Sequence, residues 1–146
     1  MKEINYEVEI QASPEEVWQV LTDLDEYADW NPLLHDAVGK VQQGEKVDVT
    51  FQTASKKGTL HCKVIKVEQN RELRWKYHVL LPGLFKGEHI FTIEPIEEKR
   101  VRFIDREIFN GLFVPLLAKD IDTNSKEAME AMDKALKARV EKLKSV

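Results

Sequence analysis

A single cysteine, Cys62, stands in 146 residues, so no intramolecular disulfide can form and no set of thiolates exists for a structural zinc. No apolar run is long enough to span a bilayer, and the opening MKEINYEVEI alternates charged and apolar residues without building a hydrophobic region. Neither a signal peptide nor stable membrane insertion is expected, and a cytoplasmic protein is. Concentrated positive charge is missing as well. The 22 Lys and Arg are outnumbered by 26 Asp and Glu, spread along the chain for a net charge of −4. Nucleic-acid binding needs a concentrated basic face to displace counterions, so that class is excluded. The chain also has no phosphate-binding glycine loop, no nucleophile elbow and no metal-ligand spacing. His35, on an irregular stretch, His61 and His78 form no ligand set. No metal and no cofactor are expected. Without a linker, a repeat or a low-complexity tract, residues 1–146 read as one domain.

What is present is a clear succession of local patterns. YEVEI (6–10) alternates as a half-buried strand. It is followed by SPEE, with Ser13 as N-cap, Pro14 in the first turn and Glu16 closing a capping box. Asp23 and Glu26 repeat that spacing and predict a second short helix over 24–29, ending before WNP. From 34 to 110 the chain reads as strands and turns: 46–51, 59–68 (facing undecided), 73–79, and a last pair over HIFTIEP and VRFIDREIF. In 73–79, Leu73, Trp75, Tyr77 and Val79 share one side, while Arg74, Lys76 and His78 face solvent. A long amphipathic helix over 115–144 closes the chain. Its basic residues lie among Glu130, Asp133 and Glu141, and the pairs Glu130–Lys134 and Asp133–Lys137 predict a solvated face.

These patterns predict an α+β fold: a curved antiparallel sheet with two short helices after the first strand and one long helix late. The long helix has only the concave face of the sheet to cover its apolar stripe of Leu117, Ile121, Met129, Met132, Leu136, Val140 and Leu143. In the middle of that stripe the bulk disappears, at Asn124, Ser125 and Ala128. A gap of that size costs roughly 2–5 kcal/mol per lost aliphatic side chain if it stays empty. Sheet aromatics, water or a ligand could fill it.

The segments ASPEEVWQVLTDLDEYADWNPLL (12–34), LRW (73–75), GEHIFTIEP (87–95) and REIFNGLFVPLL (106–117) resemble, in the same order, the polyketide cyclase/dehydrase and lipid transport family. That family lies within the START and pollen-allergen-like superfamily of helix-grip folds. The resemblance implies a cavity between sheet and long helix that accepts an apolar small molecule. Phe51, Trp75, Tyr77, Phe91, Phe103, Phe109, Leu117, Ile121 and Met129 are the expected apolar wall. His89, Glu107, Asn124 and Ser125 are the expected polar groups that orient an occupant. Trp30 is expected to anchor the short helices to the core, with the cavity wall as its other possible place.

Hairpin arithmetic supports polar groups inside. A turn centred on residue 98 sets Ile93 opposite Phe103, Phe91 opposite Asp105 and His89 opposite Glu107, all six on the concave face. His89 and Glu107 are thus candidate catalytic residues, an acid–base pair in a cyclase- or dehydratase-like enzyme. The competing expectation is a satisfied pair in a non-catalytic binding protein. A third is a protein-interaction module like the chaperone activators of the superfamily, with a filled core. Leu84, Phe85, Leu112 and Phe113, on two loops with Gly83 and Gly111, are expected at the cavity entrance or packed on one another. The oligomeric state is left open.

Overall fold

The computed structural model describes residues 1–144, and residues 145–146 of the expected single domain lie outside them. Seven antiparallel strands form one sheet: β1 (Lys2–Ile10), β2 (Leu34–Gly39), β3 (Lys46–Gln52), β4 (Lys57–Glu68), β5 (Glu72–Val79), β6 (Phe85–Glu97) and β7 (Arg100–Asn110). Their order is β1-β7-β6-β5-β4-β3-β2, so every neighbour except β1 is also next in sequence. The β6–β7 register matches the hairpin arithmetic: Ile93 faces Phe103, Phe91 faces Asp105 and His89 faces Glu107.

Between β1 and β2 lie α1 (Pro14–Thr22), a 3-10 turn (Leu24–Glu26) and α2 (Tyr27–Trp30). The capping box forms as expected: Glu16 N–H donates to Ser13 Oγ at 3.2 Å and Ser13 N–H to Glu16 Oε1 at 2.9 Å. The second box does not. Asp23 ends α1 and makes no side-chain capping bond, so the chain enters a tight 3-10 turn before α2. Asn31 then folds the chain back, accepting the N–H groups of Leu33 and Leu34 at 3.0 and 2.8 Å. This reversal leads into β2, a strand the sequence did not reveal. A bulge between Leu34 and Asp36 breaks its alternation, so His35 does sit at an irregularity, but one inside a strand. A second bulge, between Val64 and Lys66, explains the ambiguous facing of β4: Cys62 and Val64 are buried before it, while Val67, half-buried opposite Leu73, packs against the core after it.

The long helix runs without a break in three parts: α3 (Val114–Asp120), a π turn (Ile121–Ser125) and α4 (Lys126–Lys144). Pro115 sits in the first turn, where its missing N–H has no helical partner to lose. Met129, Met132, Leu136 and Val140 are buried against the sheet, but Leu143 is 47% exposed, past the end of the covered stripe. The π turn falls where the stripe loses its bulk. Thr123 Oγ1 donates to the Lys119 carbonyl at 2.9 Å, a back-bond that favours bending there. Two ion pairs pin this turn to opposite sides of the sheet. Asp120 takes Lys56 and Ser55 from the β3–β4 hairpin, and Asp122 takes Lys2 of β1 at 2.6 Å.

Candidate functional site

Between the sheet and the first half of the long helix lies a cavity of about 460 Å³. Exposure orders it from mouth to floor. Leu80, just after β5, is 72% exposed and Phe113, between β7 and the long helix, 37%, whereas Trp75 of β5 and His89 of β6 are 1% and 3% exposed. Beneath the floor the core is closed by stacked rings, with Phe91 and Phe103 centroids 6.0 Å apart.

The expected site residues divide accordingly. Phe51, Trp75, Tyr77, His89, Glu107, Phe109, Leu117, Ile121 and Ser125 line the cavity. Phe91, Phe103 and Met129 do not; they are fully buried core below it. Asn124 is not on the wall either. Its Nδ2 donates to Asp120 Oδ1 at 2.8 Å, so the π turn aims this amide at the helix rim while Ser125 faces the cavity. Ala128 packs against the main core, so the missing bulk opens onto the cavity at Ser125. At the mouth, Phe85 and Phe113 line the opening. Leu84 does not reach it, and Leu112 is 75% exposed on the outside. The two mouth loops are tied together by Leu112 N–H to the Gly83 carbonyl at 3.1 Å and Phe113 N–H to the Leu84 carbonyl at 3.0 Å. Gly111, at φ +126°, allows this contact, since a Cβ there would strike the Leu84 backbone. Trp30 is not on the cavity. It packs edge-on against Tyr27 at 5.3 Å, the anchoring place expected for it.

The polar groups sit at the floor, and their pairing differs from the expected one. His89 does not bond Glu107. Its Nε2 meets Asp105 Oδ1 at 2.6 Å, the carboxylate one step diagonal across the β6–β7 pair. Glu107 instead accepts the Tyr77 hydroxyl at 2.6 Å, from β5. Both hydrogen bonds reach across strands that the concave curvature draws together. Burial alone would lower the His89 pKa, but the charges of Asp105 and Glu107 and the Asp105 hydrogen bond outweigh it and raise it. Burial raises Glu107 above the usual carboxylate range, with His89 and the Tyr77 hydroxyl pulling the other way. Among the described residues His89 Nδ1 has no protein partner, which leaves it as the ring's free nitrogen at the cavity wall.

Several lining residues had not been expected: Leu33 and Leu34, presented by the Asn31 turn, and Lys56, Lys57, Thr59 and Leu60 from the β3–β4 hairpin. The apolar pair after WNP was visible in sequence but its direction depends on the reversal at Asn31. Asp133, expected on the solvated face with Lys137, is not there. It is 0% exposed, and Lys137 bonds Glu141 and the Glu9 carbonyl instead. Its signal was the spacing from Met129 and to Leu136, which puts it on the buried stripe. Among the described residues no group of three or more His, Cys, Asp and Glu could hold a metal ion, and no helix is long and apolar enough to cross a membrane.

Solved structures with this arrangement include a START superfamily protein from Mycobacterium smegmatis, at TM-score 0.76 and 21% identity, covering 97% of this chain and 98% of that one. The Zhui aromatase/cyclase from Streptomyces sp. R1128 aligns at TM-score 0.78 and 15% identity over 96% and 93%. A norcoclaurine synthase point mutant from Thalictrum flavum, in complex with a transition-state analogue, aligns at 0.76 and 17% over 98% and 96%. At these identities the likeness is one of fold. No curated protein matches the chain. The sequence profile of one family covers residues 1–146, in agreement with the sheet gripping a long helix, and the chain belongs to that family, polyketide cyclase/dehydrase and lipid transport.

Proposed function

We propose that residues 1–146 act as one cytoplasmic domain that binds an apolar or amphipathic small molecule, lipid- or polyketide-like, in the cavity. One observation carries this reading. A space of about 460 Å³ has aromatic and aliphatic walls, and its polar groups are gathered at the inner end and the rim. Such a volume with a few convergent polar groups is the usual make-up of a small-molecule site. The occupant enters tail-outward: its polar end meets His89, Tyr77, Glu107 and Ser125 at the floor, and its apolar body lies against Phe51, Phe85, Phe109 and Leu117. An interaction module with a filled core fits this space less well.

The second reading is a cyclase- or dehydratase-like enzyme. What favours it is that His89 and Glu107 border the same space with their proton affinities both raised, which suits proton transfer to and from a bound carbonyl compound. His89→Ala that abolishes turnover and spares binding would decide for it.

The test of binding uses N-phenyl-1-naphthylamine, a neutral probe that fluoresces in apolar surroundings, with wild type and Ser125→Leu. The wild type is expected to bind it. Ser125→Leu is expected to weaken binding at least tenfold while the melting temperature holds or rises, because the new side chain fills existing space. Equal binding by both proteins would place the probe elsewhere and overturn the reading.

A further inference from the structure

Behind the cavity floor, three carboxyl oxygens lie in the interior without a donor: Asp105 Oδ2 and both oxygens of Asp133. Both residues are 0% exposed. Asp105 comes from β7. Asp133 comes from α4, four residues after Met129 and three before Leu136, on the stripe pressed against the sheet. Asp105 stands across the helix–sheet boundary near enough for its charge to act on the Asp133 carboxyl. In a low-dielectric interior the charge of one carboxylate disfavours the charge of its neighbour. One proton between them would engage two of the three oxygens, held by one carboxyl and hydrogen-bonded to the other, and would leave one Asp133 oxygen without a donor. The remaining oxygen of Asp105 meets His89 Nε2 at 2.6 Å.

We propose that Asp133 is a positioning residue of the cavity site, sharing one proton with Asp105 and thereby setting the tautomer and charge of His89. A carboxylate at Asp105 fixes the proton of His89 on Nε2 and leaves Nδ1 for the occupant. While the pair keeps its proton, one negative charge stands behind the imidazole. When the proton leaves, there are two, and the imidazolium is held more firmly. Other titratable groups around the chain are Glu107 and Tyr77 in front of His89, Tyr27 of α2 and Tyr6 of β1 beside Asp105, and Glu130 beside Asp133. None of them is a lysine or arginine, and Lys56 and Lys57 of the cavity lining are exposed residues of the β3–β4 hairpin, so at the inner end the charge of His89 is the cation offered to an occupant. Burial, and then the charge of Asp105, hold the Asp133 carboxyl well above its ordinary range, in keeping with a retained proton. The class of ligand follows: an amphiphile whose inner end carries an acidic oxygen. This last step rests on the binding reading above.

The shared proton is tested without any ligand, by NMR on the whole protein labelled with carboxyl-13C aspartate and 15N histidine. At pH 7 one of the two buried carboxyls is expected at the position of a protonated acid, and both move together as pH rises. The ring nitrogens of His89 are expected to titrate in two steps, its own and that of the carboxyl pair. Asp133→Asn keeps a donor to Asp105 but has no proton to share, so one of the two steps disappears. Both carboxyls ionised at pH 7, or a single His89 step identical in wild type and variant, would overturn the proposal. If Asp133→Asn does not fold, the wild-type carboxyl titration decides alone. Ligand class is read from competition by decanoate and by decanol against the naphthylamine probe at pH 6. The preference for decanoate is expected to fall at least fivefold in His89→Gln, and an unchanged preference rejects the acidic-oxygen class. If neither amphiphile nor probe binds, the binding reading fails while the carboxyl titration still judges the shared proton.

Discussion

Asp133 comes into the folded protein from an unfolded chain in which its carboxyl ionises near pH ~3.9. Burial and Asp105 raise that value in the fold, so the folded state holds the proton more tightly. The sign follows from linkage: the contribution is full below the unfolded value and is lost as pH rises through the folded one, at up to about 1.4 kcal/mol per unit. Asp133→Asn removes the dependence. Its melting temperature is expected to gain on wild type between pH 4 and pH 8, by about 4 °C for each kcal/mol. A gap that stays constant across that range would show that the Asp133 carboxyl ionises in the fold as it does in the unfolded chain. A second residue-scale expectation concerns Gly87, which pairs with Tyr77 across β5 and β6. A Cβ there would run into the Tyr77 ring, so Gly87→Ala must displace the phenol and break its bond to Glu107. The cost is expected at about 1–3 kcal/mol in denaturant unfolding. No loss of stability would mean the ring moves freely. Which residues point inward was legible from alternation alone: His89, Asp105 and Glu107 followed from counting across one turn. Which of them bond was not, because diagonal reach depends on curvature that no pattern of letters records. Asp133 was misread because its i,i+4 lysine suggested a solvated pair, and only its place between Met129 and Leu136 says otherwise.

The element that answers the loss of bulk in the long helix is the π turn at Ile121–Ser125. A π turn often marks a functional position because the widened helix re-aims its side chains. Here it separates Asn124, turned to Asp120, from Ser125, turned to the cavity. Its absence from the expectation is unsurprising in physical terms: one inserted residue leaves apolar spacing on both sides intact. The β3–β4 hairpin beside the mouth is held to the same turn by Asp120, whose carboxyl Lys56, Asn124 and Ser55 keep down at about 2. A depressed carboxyl stabilises above its unfolded value and loses that contribution as pH falls from about 4 toward 2. The Asp120 contacts therefore keep their full contribution at neutral pH. Asp120→Ala is expected to change melting temperature little, since partly exposed ion pairs contribute little. It should speed probe release several-fold in stopped-flow dissociation. An unchanged release rate would show that the hairpin does not limit the mouth.

Across the whole molecule the sequence was most informative, because a sheet with one covered face imposes alternation on every strand and leaves the long helix a single place to lie. What escaped was β2, where a bulge interrupts the alternation. At the open end of the grip Leu81 and Leu116 are 69% and 82% exposed. Leu81→Ser with Leu116→Ser is expected to leave stability within about 0.5 kcal/mol of wild type and shorten retention on a phenyl column. A large drop in melting temperature would mean these side chains are packed in solution.

The strand order has one further consequence, in time. Six of the strands pair in order along the chain, each hairpin closing a short loop, but β1 pairs with β7, setting Lys2 beside Phe109. Long loops close late and slow the search. The first strand to be made must therefore wait, with an unpaired edge, until the last strand exists. Only then does the long helix find both β1 and β7 to lie against.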